Sequence, residues 1–224
     1  MPDAVDRINQ AVDQPYAGEH LDTYFHETGH IEGLPGFTGA WFERLGDPGP
    51  DDAVRLTGTD LAALSTLAVE VPAAVAIRLL HQHRPRIEEL LARIPADVAI
   101  WDADDADIGP RGAAEELWAL VRRTGDRKDT ANRRTSAFKL CARKRPALLP
   151  VYDTEVEHFF PPENGNWWLT ARRAMQQPAL RERLSALHRD AAVPAQVTLL
   201  RTLDVVLWME ARHRRGGNCG HFRG

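Results

Sequence analysis

Cysteine is nearly missing from this chain: Cys141 and Cys219 are the only two in 224 residues. Two thiols make no disulfide framework and cannot hold a four-thiolate iron–sulfur cluster, so a cytoplasmic setting is expected. Long apolar runs are missing as well. The best candidate, VTLLRTLDVVLWM, is cut by Arg201 and Asp204, well short of the roughly 20 residues that cross a bilayer, so no membrane partner is expected. The opening MPDAVDRINQ is acidic and polar, and no secretory leader is read there. Strand-like alternation of apolar and polar residues is essentially absent, which argues against a sheet. There is no Gly-x-Ser-x-Gly elbow, no Gly-x-x-x-x-Gly-Lys phosphate loop and no dinucleotide fingerprint. Those absences remove the commonest hydrolase, nucleotidase and dehydrogenase chemistries, and no cofactor is expected.

What is present is helical spacing. The chain is 43% hydrophobic and 27% charged, as a water-facing globular protein requires. Apolar residues recur at helical intervals in Ala4–Val12, Glu19–His30, FTGAWFERL, LAALSTLAVE, AAVAIRLLHQ, RIEELLARI, AAEELWALVRR, TANRRTSAFKLCARK, NWWLTARRAMQ, PALRERLSALHRD and PAQVTLLRTLDVVLWMEARH. Thr59 or Asp60 is placed to cap LAALSTLAVE, Pro72 and Pro85 stand at first-turn positions, and Thr154 with Glu157 reads as a capping box. The pattern predicts an all-α protein of about ten helices, possibly in two lobes. The expected divisions are a helical segment over 1–50, a core over 51–213 and a basic tail over 214–224, with GDPGPDD as the one plausible linker.

Charge is unevenly spread. From Arg122 to Arg145 ten basic residues face only Asp126 and Asp129, so this segment carries +8 and the remainder -12 of the net -4. Concentrated cations suit a phosphate-bearing partner. Arg133, Arg134, Lys139, Arg143, Lys144 and Arg145 are the expected nucleic-acid contacts. The plainer alternative is a solvated helix face, with the last four cations complementing a helix C-terminus.

Three smaller patterns carry chemistry on their face. His26-Glu27-x-x-His30 has the spacing by which a helix offers two imidazoles to zinc and a glutamate to water. Gly29 sits inside that pair and weakens the helix that must hold it, and a polar helix end running into GLPG is the reading preferred here. Asp102, Asp104, Asp105 and Asp107 offer oxygen ligands to a hard cation, or helix caps. Trp167 and Trp168 offer rings to a base, or to the core. His213, Cys219 and His221 could meet a metal in the Gly-rich tail.

The stretch TSAFKLCARKRPALLPVYDTEVEHFF, with FTGAWFERLG, LAALSTLAVEVPAAVAIRLL, IPADVAIWDA and LRTLDVVLWM, resembles an uncharacterised family of high-GC bacterial proteins over about Phe37 to Met209. That family brings no established activity. Within it, ALLPVYDTEV also resembles the helix-hairpin-helix DNA glycosylases, in which a helix leads through an apolar crossing to an aspartate heading the next helix. The resemblance implies an all-α glycosylase-like architecture, with Asp153 in the catalytic position and Tyr152 beside it. A carboxylate there would stabilise the positive charge that builds on the sugar as an N-glycosidic bond breaks. The chain departs from those enzymes in having GDRKDTANRR where their glycine-rich hairpin stands. It also has Arg134 or Thr135 where the lyase-active branch has lysine. The expected function is nucleic-acid binding with N-glycosidic chemistry at Asp153 as an open question. The alternative is a protein-interaction module using Trp41, Phe42, Trp167 and Trp168, and the third reading is a zinc hydrolase at His26, Glu27 and His30.

Overall fold

Several helices of this chain start where a short polar side chain takes up otherwise unpaired backbone N–H groups. A computed structural model describes residues 3–29, 33–34, 36–46, 50–124 and 130–216. Among these every regular element is helical. Asp3 caps α1 (Ala4–Val12) through the Asp6 N–H, and Asn166 caps α10 (Trp167–Met175) through the Leu169 N–H. Thr198 caps α12 (Leu199–Arg214) through the Arg201 N–H. The cap of α3 (Gly58–Ser65) is Thr57, with Asp60 bonding back to its N–H, rather than Thr59 or Asp60. Asp153 caps α9 (Thr154–Phe159), so the Thr154–Glu157 box does not form.

The chain divides into two compact units. One comprises Met1–Ala40 and Tyr152–Gly224, the other Trp41–Val151. The chain thus passes between units at Ala40/Trp41 and Val151/Tyr152. Residues 47–49 of the GDPGPDD linker and most of the basic tail lie outside the described residues; Pro50–Val54 is a 3-10 turn.

In the first unit, α12 is the central element, with eleven of its sixteen residues buried. Around it pack α1, α2 (Ala17–His26), α9 and α11 (Pro178–Asp190). Burial on nearly all sides favours pairing the helix's polar groups internally, although Glu210 Oε2 has no hydrogen-bond partner. Accordingly Arg201 donates to the Tyr24 hydroxyl at 2.9 Å, and Thr202 bonds the His188 ring at 2.8 Å.

In the second unit, α8 (Thr130–Lys144) packs on α3 and α7 (Ala113–Thr124). α5 (Arg84–Arg93) and α6 (Asp105–Ile108) lie against α7. α4 (Ala73–Ile77) continues into a π-helical turn, Arg78–Gln82. Of the aspartates at 102–107, Asp104 caps α6: it accepts from the Ala106 and Asp107 N–H groups, and Asp107 bonds back to its N–H.

Candidate functional site

The expected phosphate contacts Lys139, Arg143, Lys144 and Arg145 are buried, none more than 8% exposed. They are internal donors, not the surface contacts that the sequence suggested. Lys139 Nζ donates to Leu67 O at 2.9 Å. Arg143 donates to Asp60 Oδ1 at 3.3 Å, to Leu45 O at 2.7 Å and to Phe42 O. Lys144 Nζ reaches Asp60 Oδ2 at 2.9 Å and Asp52 O at 2.5 Å. Arg145 forks onto Ile94 O (2.9 Å), Ala53 O (2.8 Å), Lys144 O (2.7 Å) and Leu91 O.

Three successive residues can all turn inward because the end of α8 is wrapped by chain on several sides, and helix residues project about 100° apart. Besides the Asp60 carboxylate, their targets are backbone carbonyls of turns and helix ends, including Leu91 O in the last turn of α5 and Ile94 O just past it. Burial pushes the pKa of the Arg145 guanidinium down, against the opposing pull of the Asp97 carboxylate. Cys141, on the same helix, is buried, and burial pushes its thiol up to about 12. A thiol so far from ionisation is a small core side chain, not a nucleophile.

The other described cations of the basic run, Arg122, Arg123, Arg133 and Arg134, lie at the opposite end of the α7–α8 pair, the last two half-buried. Arg122 lies 5.1 Å from the Trp118 ring centre, and the Trp118 and Phe138 rings are 5.3 Å apart. Arg134 lies 5.8 Å from the Phe138 ring. Arg122 and Arg123 are exposed, and among the described residues neither joins an ion pair. Arg133 is half-buried on the same helix as Arg134. The spacing Trp118-x-x-x-Arg122 and Arg134-x-x-x-Phe138 was legible as one-turn neighbours, but the meeting of the two pairs is a tertiary fact.

In the first unit Asp153 is half-buried. Its Oδ1 accepts from the Glu155 and Val156 N–H groups, both at 3.1 Å. Tyr152 is buried and stacks on Trp167, ring centres 4.6 Å apart and 19° from parallel. Trp167, Trp168 and Phe42 are all buried, so none of them offers a ring to a partner. Trp41 is half-buried beneath the Arg44 guanidinium at 4.4 Å.

The zinc spacing does not sit on one helix. α2 ends at His26, and Glu27 is already extended, at φ -61° and ψ 130°. The loop that follows closes with Gly36 N–H donating to Glu27 O and Gly29 N–H to Leu34 O; Gly33 within it takes a φ of +78°. The ring of His26 bonds Ala191 O at 2.9 Å. His30 lies outside the described residues, as do Cys219 and His221. Among the described residues no group of three His, Cys, Asp or Glu side chains is placed to hold a metal.

One cluster carried no sequence signal, because α2 and the end of α12 supply it from opposite ends of the chain. Tyr16, His20 and His213 bring their rings together, with centres 4.7 to 5.7 Å apart. Glu210, one turn before His213, is buried; its Oε1 accepts from Arg214 Nε at 2.7 Å and its Oε2 has no hydrogen-bond partner. Burial lowers the pKa of His20 from its ordinary 6.5, His213 lowers it further, and Glu210 and Glu19 oppose this. Below pH about 6.5 an unfolded His20 therefore takes up a proton that the folded unit resists, so stability falls with acidification. The thermal midpoint is expected to drop from about pH 7 to pH 5, and less steeply in His20→Gln, read by circular dichroism. Equal slopes in the two proteins would show that His20 has no part in it.

These features define an all-helical protein whose basic run is divided between an internal hub and an arginine–aromatic face. The chain belongs to a family of unknown function (DUF6308), whose model matches residues 17–211. Neither the curated proteins nor the solved structures bring a match.

Proposed function

We propose that this protein binds nucleic acid without sequence preference through the face formed by α7 and the first half of α8. The observation that carries the reading is the series Arg122–Trp118–Phe138–Arg134, in which two guanidinium groups lie over two adjoining aromatic rings. A cation over an aromatic face keeps its full charge and its N–H donors at the rim, where a phosphate oxygen can take them. Arg122, Arg123, Arg133 and Arg134 are the proposed phosphate contacts, and the half-buried Trp118 is the proposed support for a base or sugar. Phosphate neutralisation releases counterions, so affinity from this face falls steeply with salt.

The test is fluorescence anisotropy with labelled single-stranded and duplex DNA across a salt series. Wild type is expected to bind at low salt. Arg122→Ala/Arg134→Ala is expected to weaken binding to all sequences and to lower the salt slope by about 2, one unit for each phosphate no longer neutralised. Absence of binding at low salt, or a double variant that binds as wild type does, overturns the reading.

Asp153 supports a second, hydrolytic reading within the same class. A carboxylate held by two backbone N–H groups at the head of α9, after the apolar crossing ALLPVY, fits the helix-hairpin-helix glycosylase arrangement. Asparagine caps helices about as well as aspartate, so Asp153→Asn is expected to fold as wild type does. Duplexes with damaged bases then separate the two roles. Base excision present in wild type and lost in Asp153→Asn would make Asp153 catalytic, whereas no excision in either leaves it a cap.

A further inference from the structure

Arg78 opens the π turn of the Trp41–Val151 unit and reaches from it to α7. Its guanidinium donates at 3.2 Å to the carbonyl oxygen of Thr124, the last residue of α7 and the one after Arg123. A carbonyl at a helix C-terminus has no partner in its own helix and stands at the negative end of the helix dipole. One bond therefore fixes both the end of α7 and the place of the arginine beside it. The turn that presents Arg78 closes five residues on, where the His83 N–H donates to Arg78 O at 2.8 Å. Single π turns within helices recur at functional sites.

The charge of Arg78 is not neutralised. Between Glu70 and Glu88 the chain has Arg78, Arg84 and Arg86 and no acidic residue. Arg84 bonds Glu88, and Arg86 bonds Glu89 and Glu116. Arg78 is exposed, and among the described residues it joins no ion pair. A guanidinium has five N–H donors, and the bond to Thr124 O leaves most of them to water.

We infer that Arg78 is a further phosphate contact for nucleic acid, an inference that rests on the proposed binding face of α7 and α8. The face then runs from the π turn across the end of α7 to the first half of α8. Arg78, Arg122 and Arg123 place three exposed guanidinium groups at one end of α7, none of them paired with a carboxylate among the described residues. Like charges gathered at one place repel. A polyanion whose phosphates repeat along a chain meets several of them at once and releases its counterions in doing so, whereas a lone phosphate meets few. The bond to Thr124 O holds Arg78 in position before any ligand arrives, so less side-chain freedom is lost on binding.

Two substitutions separate a phosphate contact from a helix cap. Arg78→Gln removes the charge and keeps an N–H donor for Thr124 O, while Arg78→Lys keeps the charge. Each is measured on the full chain by fluorescence anisotropy with labelled DNA across a salt series, with folding checked by circular dichroism. Arg78→Gln is expected to weaken binding at low salt and to lower the salt slope by about 1. Arg78→Lys is expected to keep the wild-type slope. Arg84→Gln, whose arginine is already paired with Glu88, is expected to leave the slope unchanged. A wild-type slope in Arg78→Gln, when Arg122→Ala/Arg134→Ala has lost affinity, overturns the inference and leaves the α7–α8 face standing. Equal losses in Arg78→Gln and Arg78→Lys would make Arg78 a cap alone and overturn it too. A wild type that binds no DNA at low salt overturns the inference together with that face.

Discussion

Asp60→Ala is expected to lower the stability of the Trp41–Val151 unit by about 4–6 kcal/mol, enough to unfold much of it at room temperature. The side chain is 2% exposed and is the carboxylate to which both Arg143 and Lys144 are bonded. Removing one partner of a buried charge pair costs about 3–5 kcal/mol, because the charge left behind stays out of water. Here two cations are left. Asp60 also accepts from the Thr57 N–H and hydroxyl as part of the α3 capping box, and a lost cap adds about 1 kcal/mol. A domain stable by about 5–15 kcal/mol cannot absorb much more. Asp60→Asn keeps acceptors for the cap while losing the charge, so it is expected to fall between wild type and Asp60→Ala. The exposed pair Arg55–Asp52 supplies the control, since Arg55→Ala should cost no more than about 1 kcal/mol. Urea unfolding followed by tryptophan fluorescence measures all three. If Asp60→Ala lay within about 1 kcal/mol of wild type, the surrounding carbonyls alone would be satisfying both cations.

The second large effect is expected at Arg145, where geometry rather than charge decides. Arg145→Met keeps most of the volume and removes a buried cation, which by itself relieves a desolvation cost. Against that, four carbonyl oxygens lose a donor. At about 1–3 kcal/mol for each buried acceptor left unsatisfied, the loss outweighs the relief, and a net cost of about 3–5 kcal/mol is expected. One of the four, Leu91 O, also accepts from the Ile94 N–H at 3.3 Å, which keeps the figure toward the lower end. Arg145→Lys separates the two contributions. Lysine preserves the charge but has three donors on one atom in place of a planar fork. It is expected to recover less than half of the loss. Full recovery in Arg145→Lys would mean that charge, not the fork, holds the backbone at Ala53, Leu91 and Ile94. Both substitutions leave the Arg122–Trp118–Phe138–Arg134 series in place, so variants that stay folded are expected to match wild type in the anisotropy test of the proposed nucleic-acid face.

The helices were legible because their signal is local. Apolar periodicity placed α7, α8, α10, α11 and α12 close to where they lie, since one turn of helix needs only neighbours in sequence. Ends were less legible. α2 ends at His26 instead of running to His30 because Glu27 and Gly29 bond across to Gly36 and Leu34, and a loop closure of that kind outweighs weak helix propensity. The cap at Asp153 was one of two local alternatives, and the choice between Asp153 and Thr154 turned on a single residue of register.

The basic run shows where sequence reading reaches its limit. By itself the sequence determined that the chain is helical, that it lacks the thiols for an iron–sulfur cluster and that ten cations crowd between Arg122 and Arg145. Only the tertiary structure decided which of them meet water. A solvated arginine and a buried one are written with the same letter, and the difference lies in acceptors drawn from Phe42, Leu45, Asp52, Ala53, Asp60, Leu91 and Ile94. Those groups lie some fifty to a hundred residues away along the chain, and carbonyl oxygens, present at every position, leave no mark in composition.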